Sequence, residues 1–306
     1  MLFKNLVIYR LHAGWDISAA ALEQHLSRRQ LQPCGALDME SRGWVPAGPE
    51  KRLVHTANGQ HLIALGINQK VLPPSIVRQE TEERAAEMEK ALGSPVGRKQ
   101  MREIRERVLV ELRAKAFTRR RVSHAWIDTV NQWLVVDAAA VARAEEVIDT
   151  LRDSIESLPV TRFEAGSSEV QMAQWVRLGE APLRLAVDTD LDLQASNEPR
   201  AAVKYARHSL DGTDIQEHLS AGKAVVRLGL TWNDRITFIL TRKLEVKRVR
   251  FLSMEEEAGD GSCRLSAQDR FDQDFLLMSS ELAHLVSDLA ASLKSDAQHP
   301  PLAACA

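Results

Sequence analysis

The sequence RKQMREIRERVLVELRAKAFTRRR, residues 98–121, contains ten Lys or Arg residues and only three Glu residues. This stretch carries a net charge of +7, whereas the whole chain of 306 residues carries −2, so the remaining residues sum to −9. A nearly neutral protein has therefore placed its positive charge in one segment. Such segregation indicates a surface for a polyanion, with nucleic acid as the first candidate. The alternative is an amphipathic helix whose charged face is merely solvated.

The same stretch has the periodicity of an amphipathic helix. Met101, Ile104, Val108 and Leu112 are spaced by three, four and four residues, which places them on one narrow face. Arginines line one flank of that face, and we expect the helix to end near the triple arginine, with Phe117 just before it. This arrangement would suit binding along a phosphate backbone. The candidate phosphate-binding residues are Arg98, Arg102, Arg105, Arg113, Lys115, Arg119, Arg120 and Arg121.

A second helical pattern precedes the basic one and covers about residues 75–92. The stretch GSPVG at 93–97 separates the two patterns, and the diproline Pro73-Pro74 gives a stiff exit from the preceding strand. Together the two patterns predict a helical hairpin of roughly forty residues. The hairpin is longer and more charged than a core element needs, so we expect a projecting arm.

The rest of the chain alternates between strand and helix patterns. Before the arm, residues 2–11 and 61–66 have strand character, while the Gly- and Pro-rich stretch 32–49 carries an exposed segment at 43–46. After the arm, strands are expected at 124–128, 132–137, 158–163, 183–193, 201–208, 223–232, 235–241 and 245–251. Helices are expected near 19–26, 139–158, 213–221 and 272–293. The sequence therefore predicts an α+β fold with antiparallel sheets.

A break at 164–168 divides these elements into two cores. The first core takes residues 1–72 and 118–165 and is interrupted by the arm at 73–117. The second core takes residues 166–298, and residues 299–306 form a Pro/Ala-rich tail. Each core has the length of an ordinary domain.

Composition and motifs argue against several classes of protein. The N-terminus lacks the pattern of a secretory signal, and the chain has no run of eighteen apolar residues, so we expect a cytoplasmic protein without membrane contact. Three distant cysteines, Cys34, Cys263 and Cys305, suggest a reducing compartment without disulfides or structural zinc. Nucleotide-binding, zinc-protease and hydrolase motifs are missing. We therefore expect no catalytic residue, no metal and no cofactor.

Two groups of residues admit a second interpretation. Asp188, Asp190 and Asp192 alternate along a predicted strand and share one face, an arrangement that a two-metal nuclease uses. An exposed strand face is the simpler explanation. Trp126 and Trp133 flank a turn, and we expect them in the core rather than in a stacking platform for bases.

Short segments along the whole chain resemble the bacterial recombination-associated protein RdgC family. The similarity runs in order from the first residue to about Leu293, and no single motif is diagnostic. The matching segments are LFKNLVIYRL at 2–11, QPCG at 32–35, GWVP at 43–46, HTANGQ at 55–60, KVLP at 70–73, KAF at 115–117, WIDTVN at 126–131, a stretch within 151–160, EHLSAGK at 217–223 and FDQDF at 271–275.

The resemblance implies a DNA-binding protein that does not act as an enzyme. In this family a ring-shaped homodimer encircles double-stranded DNA through a positively charged hole, with little sequence preference, and limits access of the recombinase RecA. A nucleoid location follows from this, and single-stranded DNA remains an open further partner. The family architecture of central domain, helical tip and base domain corresponds to the first core, the arm and the second core. Phe117 falls on the aromatic of the tip-to-tip dimer contact.

The chain departs from the family pattern at two places. Ala114-Lys115-Ala116-Phe117 stands where Pro-Arg-Ala-Phe is usual, which permits the helix to continue. The segment beginning at Arg207 and His208 stands where the family has a basic residue followed by Gln. Arg207 keeps the charge and His208 replaces an amide, and both are candidate DNA contacts.

Two alternatives stay open at this point. The basic arm would also suit a protein-interaction module that docks an acidic recombination partner. Phe117 would also suit intercalation between bases rather than a dimer contact.

Overall fold

The computed structural model describes residues 2–12, 14–195, 201–252 and 266–294. These residues form twelve strands and seven helices, and the strands belong to one large antiparallel sheet. The predicted α+β class is thereby confirmed. The predicted tail at 299–306 lies outside the described residues.

All twelve strands lie outside the arm. They are β1 (Asn5–Leu11), β2 (Glu40–Val45), β3 (Val54–Ala57), β4 (Gln60–Lys70), β5 (Thr118–Asp128), β6 (Trp133–Asp137), β7 (Val160–Arg162), β8 (Leu185–Ala195), β9 (Ala202–Tyr205), β10 (Lys223–Trp232), β11 (Ile236–Thr241) and β12 (Val246–Phe251).

The helices lie between these strands and after the last of them. They are α1 (Ala19–Ser27), α2 (Pro74–Leu92), α3 (Arg98–Lys115), α4 (Val141–Ser154), α5 (Ser168–Leu178), α6 (Thr213–Ser220) and α7 (Ala267–Lys294). None of the seven combines the length and the apolar character that crossing a bilayer requires.

The sheet runs without interruption through both predicted cores. Its strand order is β2-β4-β5-β6-β1-β12-β11-β10-β8-β9, with β3 added to β4 and β7 added to β1. The two halves of the chain meet where β1 pairs with β12, with Asn5 opposite Lys247 and Leu6 opposite Val246. The division into separate central and base domains stays a prediction.

Helices cover both faces of the sheet, and the alternation of side chains along each strand supplies two cores. On one face Ile63 and Leu65 of β4 belong to a cluster with Leu22 of α1 and Leu151 of α4. On the other face the larger cluster combines strands of both halves with α5 and α7. Trp126 and Trp133 are buried in this second cluster, which confirms their predicted place in the core.

Two elements differ from the sequence-based expectation. The segment at 43–46, expected to be exposed, lies largely in β2, and Trp44 is buried with its Nε1 donating to Ser154 Oγ at 2.9 Å. Helix α5 has no counterpart among the predicted helices. In α5 the apolar Val170 is exposed, whereas Gln171 is buried and donates to Leu293 O at 2.7 Å. These two residues therefore depart from the hydrophobic period that would predict a helix.

The turn between β5 and β6 depends on a buried carboxylate. Asp128 is fully buried, and its Oδ1 accepts hydrogen bonds from the backbone N–H groups of Val130 at 3.0 Å and Asn131 at 2.9 Å. The side chain of Asn131 donates to its Oδ2 at 2.8 Å. The three bonds compensate for burial of the charge and hold the turn closed.

We predict that Asp128→Ala lowers the free energy of unfolding by about 1–3 kcal/mol, because three donors of the turn lose the buried carboxylate that accepts from them. Urea denaturation at fixed protein concentration measures the change. The matched control is Asp149→Ala, since this exposed carboxylate makes only a 3.5 Å ion pair with Arg152. Equal effects of the two substitutions would contradict this account of the turn.

Candidate nucleic-acid interface

The arm is a helical hairpin with an apolar cluster of its own. Val77 and Ala85 of α2 pack against Ile104 and Val108 of α3, with Met101 and Leu112 partly buried at the margins. The predicted apolar face of the basic helix is therefore confirmed. This cluster is separate from the two clusters of the sheet. Helix α3 extends about 27 Å, given 18 residues at 1.5 Å each.

An ion pair ties the two helices together across the hairpin. Arg84 of α2 donates from Nη2 to Glu111 Oε2 of α3 at 2.6 Å. The hydrogen bond from Arg84 holds the pKa of the Glu111 carboxyl below its usual value and raises the pKa of Arg84. Glu111 is exposed and Arg84 is partly exposed, so the pair fixes the relative position of the two helices more than it stabilises the fold.

The first three candidate arginines of α3 form an exposed row. Arg98, Arg102 and Arg105 are spaced by four and three residues, which places them on one side of the helix. Arg102 donates from Nε to Glu106 at 3.1 Å while 82% of its side chain stays exposed. Arg98 and Arg105 form no ion pair with any residue that the structure describes. This row leaves guanidinium groups available to an external anion.

The triple arginine lies in a strand, which corrects the expectation that the helix ends there. Helix α3 ends at Lys115, Ala116 is extended with φ −65° and ψ 138°, and β5 begins at Thr118. The helix therefore does not continue through the Ala-Lys-Ala-Phe stretch. Pairing with β4, from Thr118 opposite Lys70 onward, takes the backbone into the sheet instead.

Strand geometry divides the three arginines between two faces of the sheet. Arg121 donates from Nη2 to Glu146 Oε2 of α4 at 2.7 Å, so its charge is compensated within the chain. Arg120 points the other way and borders a hollow of about 410 Å³ that Gln30, Lys51 and Asn68 also line. Arg119 is exposed. The three arginines therefore do not form one continuous row on the same face of the sheet.

Arg113 and Phe117 lie at the root of the arm, where α3 rejoins the sheet. Phe117 O accepts from Val71 N at 2.8 Å, beside the strand end from which the arm departs. The Phe117 side chain is 89% exposed. Arg113 is turned towards the protein, because its Nη1 donates to Leu37 O at 3.4 Å and its Nε is buried. Lys115 is exposed beside them.

Arg207 and His208 lie far from the arm, in the turn between β9 and α6. Seven strand-to-strand steps separate β5 from β9, which corresponds to roughly 34 Å across the sheet. Arg207 is exposed and has a positive φ of 54°. His208 donates from Nδ1 to Ser209 O at 2.6 Å, and its ring lies 5.5 Å from that of Tyr205. The structure thus places these two candidates beside the edge strand β9, seven strands away from β5.

Neighbouring Tyr205 is held as a neutral phenol. Its hydroxyl donates to Asp214 Oδ2 at 2.7 Å, and this hydrogen bond raises the pKa of Tyr205 to about 12 while lowering the pKa of Asp214. The bond fixes the start of α6 beside the turn that carries Arg207.

The aspartates of β8 do not assemble a metal site. Asp192 lies 3.4 Å from Arg227 Nη1, and the register of β8 against β10 is irregular around residues 188–190. Within the described ranges no three His, Cys, Asp or Glu side chains come together as metal ligands.

Sequence reasoning misses the positions of two lysines near the root of the arm. Lys51 lies in a Pro- and Gly-rich stretch without periodicity, and no local signal connects it to Arg120. The pattern around Lys70 indicates only a segment that leaves the first core, although Lys70 is buried at the root of the arm. Both positions depend on pairings between distant strands.

These features define an α+β protein whose basic helical hairpin interrupts two paired strands of a large antiparallel sheet. A family model described as "Putative exonuclease, RdgC" matches residues 1–296. The chain belongs to the RdgC family.

Similar proteins share nearly the whole length of the chain. The recombination-associated protein RdgC of Bordetella parapertussis is 44% identical over 294 residues, covering 96% of this chain and 98% of the relative. The protein of the same name from Janthinobacterium sp. is 41% identical over 299 residues, covering 97% and 99%. That of Dechloromonas aromatica is 42% identical over 297 residues, covering 96% and 97%.

We predict that Val108→Ala speeds amide hydrogen exchange in α2 and α3 by about tenfold, because two buried carbons are worth about 1.5 kcal/mol. Val108 is fully buried in the arm's small cluster. Mass spectrometry of exchanged peptides measures the effect, and the exchange of the strands should not change. Val110→Ala is the control, since Val110 of the same helix is 49% exposed. Unchanged exchange in both variants would show that this cluster does not hold the arm.

Proposed function

We propose that this protein binds double-stranded DNA without sequence preference, as a ring-shaped homodimer that encircles the duplex. The consequence would be a restraint on RecA-dependent recombination at the nucleoid, in the cytoplasm. The names of the relatives support a role in recombination. The family resemblance implies the ring and the antagonism with RecA, and we extend both to this chain.

The observation that carries the proposal is the exposed positive charge of α3 and the start of β5 in an otherwise acidic protein. Residues 98–121 carry +7 and the rest of the chain −9. Arg98, Arg102 and Arg105 form one side of α3 and are not buried by other parts of the described chain. Guanidinium groups presented along a helix suit phosphates, which carry no sequence information.

The position of the second basic site supports contacts on two sides of a duplex. The exposed Arg207 follows β9 at the edge of the sheet, and β9 is seven strand spacings, roughly 34 Å along the sheet, from β5, to which the arm connects. A protomer with one basic site at each end would contact DNA between them, and a second protomer would complete the enclosure. The exposed Phe117 is available as a contact between protomers.

Binding rather than cleavage is the activity that we infer, although the family description names an exonuclease. The aspartates of β8 include one that is paired with Arg227, and they share no described site with other metal ligands. Linear duplex incubated with Mg²⁺ or Mn²⁺ should therefore stay intact. Release of nucleotides would support the nuclease instead.

The test of encirclement compares closed-circular and linear DNA of the same sequence. Both are loaded at low salt and washed at high salt, and the mass of the free protein is measured alongside. A ring should remain on circles and slide from linear ends. Equal loss from both would leave a basic surface without encirclement. Absence of binding at low salt, with capture of an acidic protein, would favour the protein-interaction module.

The salt dependence of binding tests which arginines touch phosphates. We predict that Arg105→Ala reduces the slope of log K against log salt by about 0.9 for each phosphate that the variant no longer neutralises. Arg121→Ala is the matched control and should keep the slope, because Arg121 is already paired with Glu146. Fluorescence anisotropy with a labelled duplex across a salt series gives both slopes. A flattened slope for Arg121→Ala with an unchanged one for Arg105→Ala would reverse the assignment.

A further inference from the structure

A segment of chain crosses β2 and β4 at the end of the sheet from which the arm departs. We call this segment, residues 30–38, the strap. Gly43 and Gly66 stand opposite each other in these strands and make room for it. A Cβ at Gly43 would lie 2.5 Å from Leu31 N, and one at Gly66 would lie 2.8 Å from Leu31 Cδ2. The strap therefore lies directly on a cross-strand pair of glycines.

Side chains of the strands beneath hold the strap through its carbonyl oxygens. Gln32 O accepts from Ser41 Oγ at 2.9 Å. Gly35 O and Ala36 O both accept from Lys70 Nζ, each at 2.7 Å. The backbone N–H of Lys70 also donates to Met39 O at 2.9 Å, just beyond the strap. One lysine thus connects the end of β4 to both the strap and the residue that follows it.

Lys70 is an unusual residue to find in this position. Its side chain is 6% exposed, and no carboxylate among the described residues lies within ion-pair distance. A buried ammonium group is costly unless hydrogen bonds replace its water. The two carbonyl dipoles supply that replacement, so the charge of Lys70 is committed to the strap.

The arm contributes the next contact in the series. Arg113 of α3 donates from Nη1 to Leu37 O at 3.4 Å, and its Nε is buried. Three consecutive carbonyls, those of Gly35, Ala36 and Leu37, therefore accept from two cations. One cation belongs to the sheet and the other to the arm.

We infer that Lys70 and Arg113 form a clamp on the strap that sets the orientation of the arm relative to the sheet. Both are positioning residues, and Arg113 does not contact phosphate. The inference goes beyond DNA binding, and only its consequence for DNA rests on the proposed function. Loss of the clamp should leave α3 intact and its arginines exposed but free to move.

The direct test measures the distance between the arm and the sheet by pulsed electron spin resonance. Spin labels are attached at Ser94→Cys in the turn of the arm and Val130→Cys in the β5–β6 turn. The native Cys34, Cys263 and Cys305 are replaced by Ser, and labelled chains are diluted with unlabelled ones. The expected result is one narrow distance peak, which is replaced by a broad distribution in Lys70→Met and in Arg113→Met.

Two controls make the same chemical change outside the clamp. Lys115→Met and Arg105→Met remove exposed cations of α3 and should keep the narrow peak. Circular dichroism verifies that each variant is folded. If Lys70→Met fails to fold, Arg113→Met decides, because Arg113 is only partly buried. A narrow, unshifted peak in folded Arg113→Met would overturn the clamp.

DNA binding separates positioning from phosphate contact. Lys70→Met and Arg113→Met should weaken binding at every salt concentration with an unchanged salt slope, whereas Lys115→Met should flatten the slope. A flattened slope for Arg113→Met would make Arg113 a phosphate contact and overturn its role. If the unmodified protein binds no DNA, the proposed function fails, and the distance measurement still decides the clamp.

Discussion

The pairing of β4 with β5 is the constraint on which the rest of the arrangement depends. Eleven residue pairs join these strands, from Gln60 opposite Asp128 to Lys70 opposite Thr118, and the bond from Val71 N to Phe117 O extends the ladder to the root of the arm. Because both ends of the insertion are held side by side, α2 and α3 must leave and return at one point. The ladder lets a charged helix be displayed with only a small cluster of its own to support it. It also takes the triple arginine out of the helix and into the sheet.

Position along this root decides the role of each cation. Arg121 and Arg113 lie where the arm meets the body of the protein, and both find acceptors there, in Glu146 and in the carbonyl of Leu37. Arg98 and Arg105 lie on the exposed length of α3, and neither forms an ion pair with a described residue. Charge that is compensated within the chain adds little to the attraction of a polyanion, whereas uncompensated charge steers it. The net +7 of residues 98–121 therefore overstates the charge that this segment presents to a polyanion.

Local patterns in the sequence predict the parts that depend on local physics. The 3.6-residue period of Ile104 and Val108 predicts α3, and the Gly93 break, which is left-handed with φ 67°, predicts the turn of the hairpin. The β10–β11 hairpin is predicted from Asn233 and Asp234, both of which adopt positive φ.

The expectations that fail depend on pairing between segments that are distant in the sequence. Strand β2 depends on the pairing of Gly43 with Gly66, and the strap depends on hydrogen bonds from Lys70. Neither contact produces a periodic pattern within one segment of the sequence. The partner of Arg121 lies 25 residues away on another element, so the sequence alone counts its charge as free.

The most direct measurement of the central claim is amide hydrogen exchange of the full-length protein with and without a duplex, at low salt. The claim, made under the proposed function, is that DNA contacts both the exposed side of α3 and the turn at Arg207 that follows β9. It predicts that a duplex slows exchange in peptides covering residues 98–115 and in those covering 206–212, with no slowing in α4 or α5. Slowing confined to other surfaces, with the arm unchanged, would contradict the claim.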